Sequence, residues 1–571
     1  MAGRKPGIAE VTWTRLVRLH ACAVASVMLA SLATGYAIAE ETQYDLVIRS
    51  GRILDGSGNP WFHGDVAICG DRIAAIGRIP PQSGKREIHV PDRFVAPGFI
   101  DIHSHSDLLL LEDGSASSKI RQGVTTEVLG EGNSTAPYPG EPESSSNTGP
   151  RFRTMPDYFA ALETRGTAVN VATYVGLDNI WNSAMSGSFS RPTADQMNAM
   201  KRTLEQAMQD GAYGLSSMLA MPPGSLANTD DIVELCRVVA RFGGIYSTHN
   251  RHEGEGVLDA VKEAITIGEK AGVPVDIIHL KIADQKLWGR MPDVISLIEN
   301  ARQQGINVQA HVYPYTRGSN NLSSIIPPWV HEGGTAKMLE RLRDPSLRPR
   351  IKQEIRDGLP GWYNHYTAVG GDWSRMLISA AGPYQGLTMD RVLSLRQKDP
   401  AKSNDDPLDH LFDILLDNAG SVPTVYEHHS EADMNLALRQ PWCSIGSDGS
   451  ALAIAGPLRR GNPHPRSFGT FPRALGVYAR DRGLLSWEDA VRKMTSLNAS
   501  KIGLTDRGNL RVGAYADITI FDPNRIVDRA TYESPFAYAE GIDYVIVNGT
   551  VVFDDGQPTP HRPGRPLRKG K

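Results

Sequence analysis

Pro97-Gly98-Phe99-Ile100-Asp101-Ile102-His103-Ser104-His105-Ser106-Asp107 is an apolar, β-prone run that stops in two histidines one residue apart. Side chains alternate faces along a strand, so His103 and His105 are expected to project the same way, about 7 Å apart. Two imidazoles so placed can grip one metal ion. The run predicts a metal pincer at the carboxyl end of a strand, with a pair of exposed loop histidines as the alternative.

Outward from this run, strand-like and helix-like stretches alternate from about residue 94 to 504. Further strands are expected at 124–130, 170–176, 212–217, 244–249, 274–281, 306–313 and 442–448. Eight strands with helices between them predict an α/β chain folded as a (β/α)₈ TIM-type barrel. A doubly wound open sheet is the alternative, weakened because no Gly-x-Gly-x-x-Gly turn follows the early strands. The intervening helices show apolar spacing, as in Ile232, Val233, Leu235, Val238 and Val239, and in Val257, Ala260, Val261, Ala264 and Ile265. His249, His279 and Asp448 fall at carboxyl ends of proposed strands, where barrel enzymes assemble active sites. One such histidine is more often a satisfied core group. Four histidines and an aspartate, arriving from separate strands, point to a metal centre.

The two ends of the chain carry shorter strands joined by glycine turns, at 44–49, 64–68 and 72–77, then at 516–521 and in a hairpin at 545–552. Asn548-Gly549 is the preferred type I′ pair for that hairpin. Each half has an apolar face with nothing nearby in sequence to cover it, so the halves must meet. The domain plan is a small β-sandwich built from 40–93 and 505–571, flanking a barrel at 94–504. Within the barrel, 320–440 is long for a connection and contains Trp329, Trp362 and Trp373. It reads as a lid-like insertion over the barrel mouth, or as an oligomer contact.

With 571 residues, 40% hydrophobic content and a formal net charge of −4, the chain can bury a large core and has no polyanion-seeking excess. No nucleic-acid motif is present, and a small-molecule substrate is the expected partner. Cys22, Cys69, Cys236 and Cys443 are too scattered for a disulfide framework. Arg4, Lys5, Arg15 and Arg18 precede an apolar run at about 21–38 that closes in Ala37-Ile38-Ala39. Residues 1–39 are therefore expected to be a signal peptide, giving a secreted or periplasmic protein with no membrane span after cleavage. A retained anchor is the rival, since the run approaches the roughly 20 residues needed to cross a bilayer.

The motifs resemble, in order, those of the D-aminoacylase or N-acyl-D-amino-acid deacylase family of the amidohydrolase superfamily. They are PGFIDIHSHSD at 97, GVTTEVLG at 123, GAYGLSS at 211, STHNRHEG at 247, HLK at 279, YPYTRGSNNLSSIIPPW at 313, GSDG at 446, HPRSFGTFPRALG at 464, MTSLNASKIGLTDRGNLRVGAYADITIFDP at 494 and RPGRPLR at 562. The resemblance implies metal-dependent cleavage of N-acyl-D-amino acids, with the metal at His103, His105, His249, His279 and Asp448. One place departs from the pattern. Many members carry a metal-binding cysteine in a Gly-Asn-Cys-Gly turn after strand two, where this chain reads Gly130-Glu131-Gly132-Asn133-Ser134. Glu131 is then either the ligand that bridges two metals or a turn carboxylate that orients a histidine. Strand four ends in Ser216-Ser217 and offers no lysine to carbamylate.

Imidazole and carboxylate donors with one position open suit zinc most simply, as one or two Zn²⁺ ions, and tolerate manganese, cobalt or iron. Such an ion makes water acidic enough to act as nucleophile near neutral pH. Asp448 is expected to take the proton and return it to the departing amine. Lys281 lies two residues past His279, on the same expected strand face, and Arg466 follows strand eight, where its fork can clasp a carboxylate. The resemblance implies carboxylate binding by both, together with Tyr313 and Ser319. Other amidohydrolase reactions, on cyclic amides or isoaspartyl dipeptides, would use the same metal site. From another class, a secreted binding protein on an inactive barrel is the alternative.

Overall fold

The computed structural model describes residues 1–3, 43–138, 151–400 and 402–570. The leader read at 1–39, past its first three residues, and the polar loop at 139–150 lie outside the described residues. Five strands come first: β1 (Tyr44–Ile53), β2 (Phe62–Cys69), β3 (Arg72–Gly77), β4 (Gly84–His89) and β5 (Phe94–Pro97). Next come β6 (Phe99–Asp101), β7 (Val124–Leu129), β8 (Asn170–Thr173), β9 (Val175–Gly176), β10 (Gly214–Met218), β11 (Ile245–His249), β12 (Val275–Ile277) and β13 (Val308–Val312). An excursion holds β14 (Gly318–Asn321), β15 (Met376–Ile378) and β16 (Pro423–Tyr426). The chain then returns through β17 (Cys443–Ile445) and ends in β18 (Ile518–Phe521), β19 (Ile542–Val547), β20 (Thr550–Asp554) and β21 (Gln557–Pro558).

The barrel is built from two parallel sheets, β6-β7-β8 and β9-β10-β11-β12-β13-β17. β8 continues into β9 across Tyr174, and a parallel bridge between Ser104 and Gly449 sets the end of β6 beside that of β17. The ladder is interrupted at both joins, but eight strand positions follow one another around the ring. Strands covered on both faces need apolar runs rather than alternation, and all six residues of β7 are buried. The helices show why their sequences choose that state. Asn228 caps the helix Thr229–Arg241 through a reciprocal bond with Asp231, and Ile232, Val233, Leu235, Val238 and Val239 line its buried face. Burying each of the larger side chains stabilises by about 1.5–3 kcal/mol, so replacing the cap with Ala removes less than replacing Leu235.

Strands from both chain ends enter one nine-stranded sheet, in the order β21-β20-β19-β18-β5-β1-β2-β3, with β4 on β1. β5 and β18 pair antiparallel, Phe94 opposite Phe521. Asn548 and Gly549 both take positive φ, 47° and 77°, in the turn from β19 to β20. Gly98 then carries the chain from this sheet into the barrel, at a point where a Cβ would sit 2.2 Å from Thr125. The excursion forms its own antiparallel sheet, β14-β16-β15, over a separate core that includes Leu322, Ile325, Leu411, Phe412 and Tyr426. No helix among the described residues is long and apolar enough to cross a membrane.

Two local expectations need correction. The first barrel strand stops at Asp101, so His103 and His105 stand on the segment beyond it and not on one strand face. β12 stops at Ile277, and His279 turns into the left-handed region at φ 36°, so strand alternation does not relate it to Lys281.

Candidate metal centre

Four histidines and two carboxylates converge at the carboxyl end of the barrel. Glu131 lies at their middle. It is presented by Gly130-Glu131-Gly132, where both glycines have positive φ, 91° and 59°, and a Cβ on Gly130 would meet the Tyr174 carbonyl at 2.6 Å. Only glycine fits such a site without strain. The Gly132 amide donates to Ser216 Oγ at 2.8 Å, which holds the turn against β10. One Glu131 oxygen, Oε2, is 2.7 Å from His103 Nε2 and 3.1 Å from His105 Nε2. The other, Oε1, is 3.1 Å from His249 Nδ1 and 3.9 Å from His279 Nε2. Asp448 completes the first group, 3.0 Å from His105 Nε2. The ligand atoms of His103, His105, Glu131 and Asp448 all lie within 4.8 Å of one another, as do those of Glu131, His249 and His279.

Asp448 and His279 are both non-glycine residues held at positive φ, 52° and 36°. Such strain persists where the surroundings over-determine it, commonly at functional sites. The Asp448 amide donates to the His103 carbonyl at 2.8 Å, and Arg466 Nη1 lies 2.7 Å from Asp448 Oδ2.

The histidines are oriented from behind. Lys501 Nζ donates to Asp276 Oδ1 at 2.6 Å, and Asp276 Oδ2 lies 2.8 Å from His311 Nδ1. His311 must then donate from Nδ1 and accept at Nε2, which is 3.1 Å from His103 Nδ1. His103 therefore donates from Nδ1 and turns Nε2 toward Glu131, the edge it would offer to a metal ion. Glu253 lies against the other pair of histidines: its Oε1 is 3.3 Å from His279 Nδ1 and 3.6 Å from His249 Nε2. It also pairs closely with Lys281, whose Nζ is 2.7 Å from His279 Nδ1.

The electrostatics call for a cation here. Burial pushes the Glu131 carboxyl up, yet the facing histidines hold it well below the usual carboxylate range. Asp448 is likewise buried but held low, by Arg466 and then His103. Burial lowers the His105 imidazole, but bonds to Asp448 and Glu131 raise it to about 10. Two buried carboxylates that force a proton onto a histidine form a set that a divalent ion would neutralise, and imidazole nitrogen with carboxylate oxygen fits zinc.

A cleft with ≈ 1110 Å³ of space opens beside this centre, bordered by His105, Asp448, Arg466, Ser319, His464 and Asn462. Tyr313 stacks under the Arg466 guanidinium at 4.8 Å. The structure thus brings His103, His105, Glu131, His249, His279 and Asp448 together, sets Arg466 and Ser319 on the adjoining cleft with Tyr313 beneath Arg466, and ties Lys281 to Glu253. Glu253, His311, Asp276 and Lys501 were not singled out in the sequence. Glu253 stands in the quoted STHNRHEG run and Lys501 in the run quoted at 494, and both could have been found there; no spacing signals Asp276 or His311.

Comparison with known proteins follows the same outline. A profile of the amidohydrolase family matches residues 405–553. An N-acyl-D-glutamate deacylase from Alcaligenes xylosoxydans xylosoxydans is 34% identical over 93% of this chain and 97% of its own length. A D-aminoacylase from the same organism is 35% identical over 92% and 98%. The crystal structure of an N-acyl-D-glutamate deacylase from Bordetella bronchiseptica, with zinc and a phosphonate mimic of the tetrahedral intermediate, superposes with a TM-score of 0.76 at 31% identity, covering 92% of this chain and all of that one.

Proposed function

Since the chain belongs to the D-aminoacylase family of amidohydrolases, we propose that it hydrolyses the amide bond of N-acyl-D-amino acids to a carboxylate and a free D-amino acid. The observation that carries the reading is one cleft in which a His-carboxylate donor set adjoins Arg466, a cation suited to the substrate's own carboxylate. The ion, zinc for preference, supplies Lewis acidity and a nucleophile from water when bound. Glu131 faces two histidines with each oxygen, an arrangement suited to holding one ion or joining two.

Arg466 presents a planar fork above the Tyr313 ring, and Ser319 borders the same cleft as a further donor for the α-carboxylate, while Lys281 is held by Glu253. Fixing that carboxylate sets the scissile bond against the metal ligands, which is where most of the entropic cost is met. Asp448 accepts a proton in the attack and delivers it to the nitrogen, because an amide nitrogen departs only when protonated. Cyclic amides lack the free carboxylate that this clamp addresses, which favours linear substrates.

The test is turnover of paired N-acetyl-D- and N-acetyl-L-amino acids by the purified chain, before and after chelation and zinc re-addition. Turnover of the D series, abolished by chelator and restored by zinc, is expected. Hydrolysis of hydantoins or isoaspartyl dipeptides with none of linear N-acyl-D-amino acids would move the chain to another amidohydrolase reaction. The reading includes export, supported by the basic, then apolar, then Ala37-Ile38-Ala39 leader. Active soluble protein retaining Met1 in the cytoplasm would refute that part; a mature terminus near Glu40 is expected.

A further inference from the structure

At the seam where the end of β6 meets that of β17, three charged side chains lie fully buried beside the metal centre and are not among its donors. They are Asp101 at the end of β6, Glu127 in β7 and Lys119 in the short helix Ser117–Ile120. Lys119 Nζ donates to Asp101 Oδ2 at 2.7 Å, to Ser447 Oγ at 3.0 Å and to the Gly449 carbonyl at 3.1 Å, so all three ammonium hydrogens are placed. Glu127 Oε2 lies 3.6 Å from the same nitrogen. The partners of this cluster flank two residues of the site. Asp101 Oδ1 accepts from the Ser447 amide at 2.8 Å, and the Gly449 amide donates to Ser447 Oγ at 2.9 Å, which fixes the chain on either side of Asp448. Glu127 Oε2 accepts from the hydroxyls of Ser104 and Ser106, the two neighbours of His105. The His105 amide joins the two halves by donating to the Gly449 carbonyl at 3.0 Å.

We propose that Lys119 is a positioning residue for the hydrolysis: with Asp101 and Glu127 it fixes the backbone on both sides of Asp448 and of His105, and so holds the Asp448 carboxylate in the orientation from which it handles the proton. The proposal rests on the N-acyl-D-amino-acid reading and deepens it. Asp448 sits at φ 52°, a conformation that persists only where the surroundings impose it. Here the surroundings are Asp101 and Lys119, acting through Ser447 and Gly449.

A buried ion pair adds little to stability over apolar packing of the same volume, because desolvation offsets the attraction. What this one adds is direction. The two Asp448 oxygens are divided between His105, at 3.0 Å, and Arg466, at 2.7 Å, and a proton is passed only within hydrogen-bond reach. A displacement of about 1 Å at such a group can lower the rate by ~10²-fold. Among the described residues, Glu131, His249 and His279 make no hydrogen bond or ion pair with Lys119, Asp101 or Glu127. Loosening the seam should therefore disturb Asp448 while most of the metal donors stay in place.

The experiment is a double-mutant cycle on the full chain: the parent, Lys119→Met, Asp448→Asn and the two changes together. Each is assayed at saturating zinc on the N-acetyl-D-amino acid that the parent turns over fastest, with bound zinc and the thermal midpoint measured on the same samples. Lys119→Met keeps the length of the side chain and removes its three donors; kcat should fall by ~10-fold or more while KM stays within ~3-fold and zinc is retained. On the Asp448→Asn background the same change should alter kcat by less than ~3-fold, because the group that Lys119 positions no longer takes the proton. Ser447→Ala, which removes the link between Lys119, Asp101 and Gly449 but leaves the ion pair, runs the same cycle if Lys119→Met does not fold. An unchanged kcat, an equal loss on both backgrounds, or a loss that follows zinc occupancy would overturn the positioning role while the deacylase reading stands. No turnover of any N-acyl-D-amino acid by the parent would overturn that reading and the proposal with it.

Discussion

At the scale of single residues, the two tasks proposed for Asp448, holding metal and moving a proton, can be separated by substitution. One of its oxygens faces His105 and the other Arg466, so it can bind metal, move a proton, or do both. Asparagine nearly keeps the shape but cannot take a proton. Asp448→Asn is expected to keep the fold while kcat falls by ~10²–10⁴, the usual span for general acid-base catalysis. The measurement is kcat at saturating zinc with bound metal counted in the same sample. Near-native turnover there would shift the proton-handling role to another carboxylate, Glu131 first. Rate recovery that tracks zinc occupancy would make Asp448 chiefly a ligand.

At the scale of elements, the excursion is seated on the barrel mouth through buried histidines. His365 begins the short helix His365–Ala368, while His428 and His429 follow β16; their rings approach at 6.0 Å and 4.5 Å. Burial lowers His365 and His429 to about 3. Unfolded histidines titrate near 6.5, so between about pH 6.5 and 3 the unfolded chain binds protons that the folded chain refuses. Stability is therefore fully present above about pH 6.5 and falls as pH drops. Over pH 6.5 to 5 the buried Asp107 and Asp178 carboxyls, raised by burial to about 6 and about 7, oppose that fall, so the histidine contribution is read as the difference between the parent and a histidine variant. Thermal unfolding over that interval should show a falling midpoint, and His365→Gln should flatten the slope. An unaltered slope in the variant would remove His365 from the account.

For the whole molecule, the joint between barrel and terminal sheet is a buried polar cluster. Arg507 pairs closely with Asp517, which also accepts from the Asn548 amide at 2.8 Å. Asn548 Nδ2 donates to Asn170 Oδ1 in β8 at 2.8 Å and to the Pro563 carbonyl. The tail continues along the barrel base, where the Leu567 amide donates to the Val171 carbonyl at 2.7 Å. Arg507→Ala leaves the Asp517 carboxylate buried without its cation, a loss of about 3–5 kcal/mol. The thermal midpoint should fall by ~5 °C or more. A midpoint within a degree of the parent would show that the two halves are held by apolar packing alone.

Read alone, the amino-acid order determined the kinds of element, their succession and the chemistry at their ends. Apolar runs closing in His103, His105, His249, His279 and Asp448 mark strand ends because periodicity and terminal polarity are local properties of a chain. Asn548-Gly549 declares its turn for the same reason. Only tertiary structure decided the rest. Glu131 meets four histidines because the backbone angles of its two flanking glycines aim it at residues such as His103, 28 positions away, and His249, 118 positions away. Lys281 reaches Glu253 through a left-handed turn at His279 that strand alternation misplaces. Asp276, His311 and Lys501 form a relay across 225 positions of sequence. Such contacts follow from where separate strands and helices come to rest in the closed core, and neither spacing nor composition encodes that packing locally.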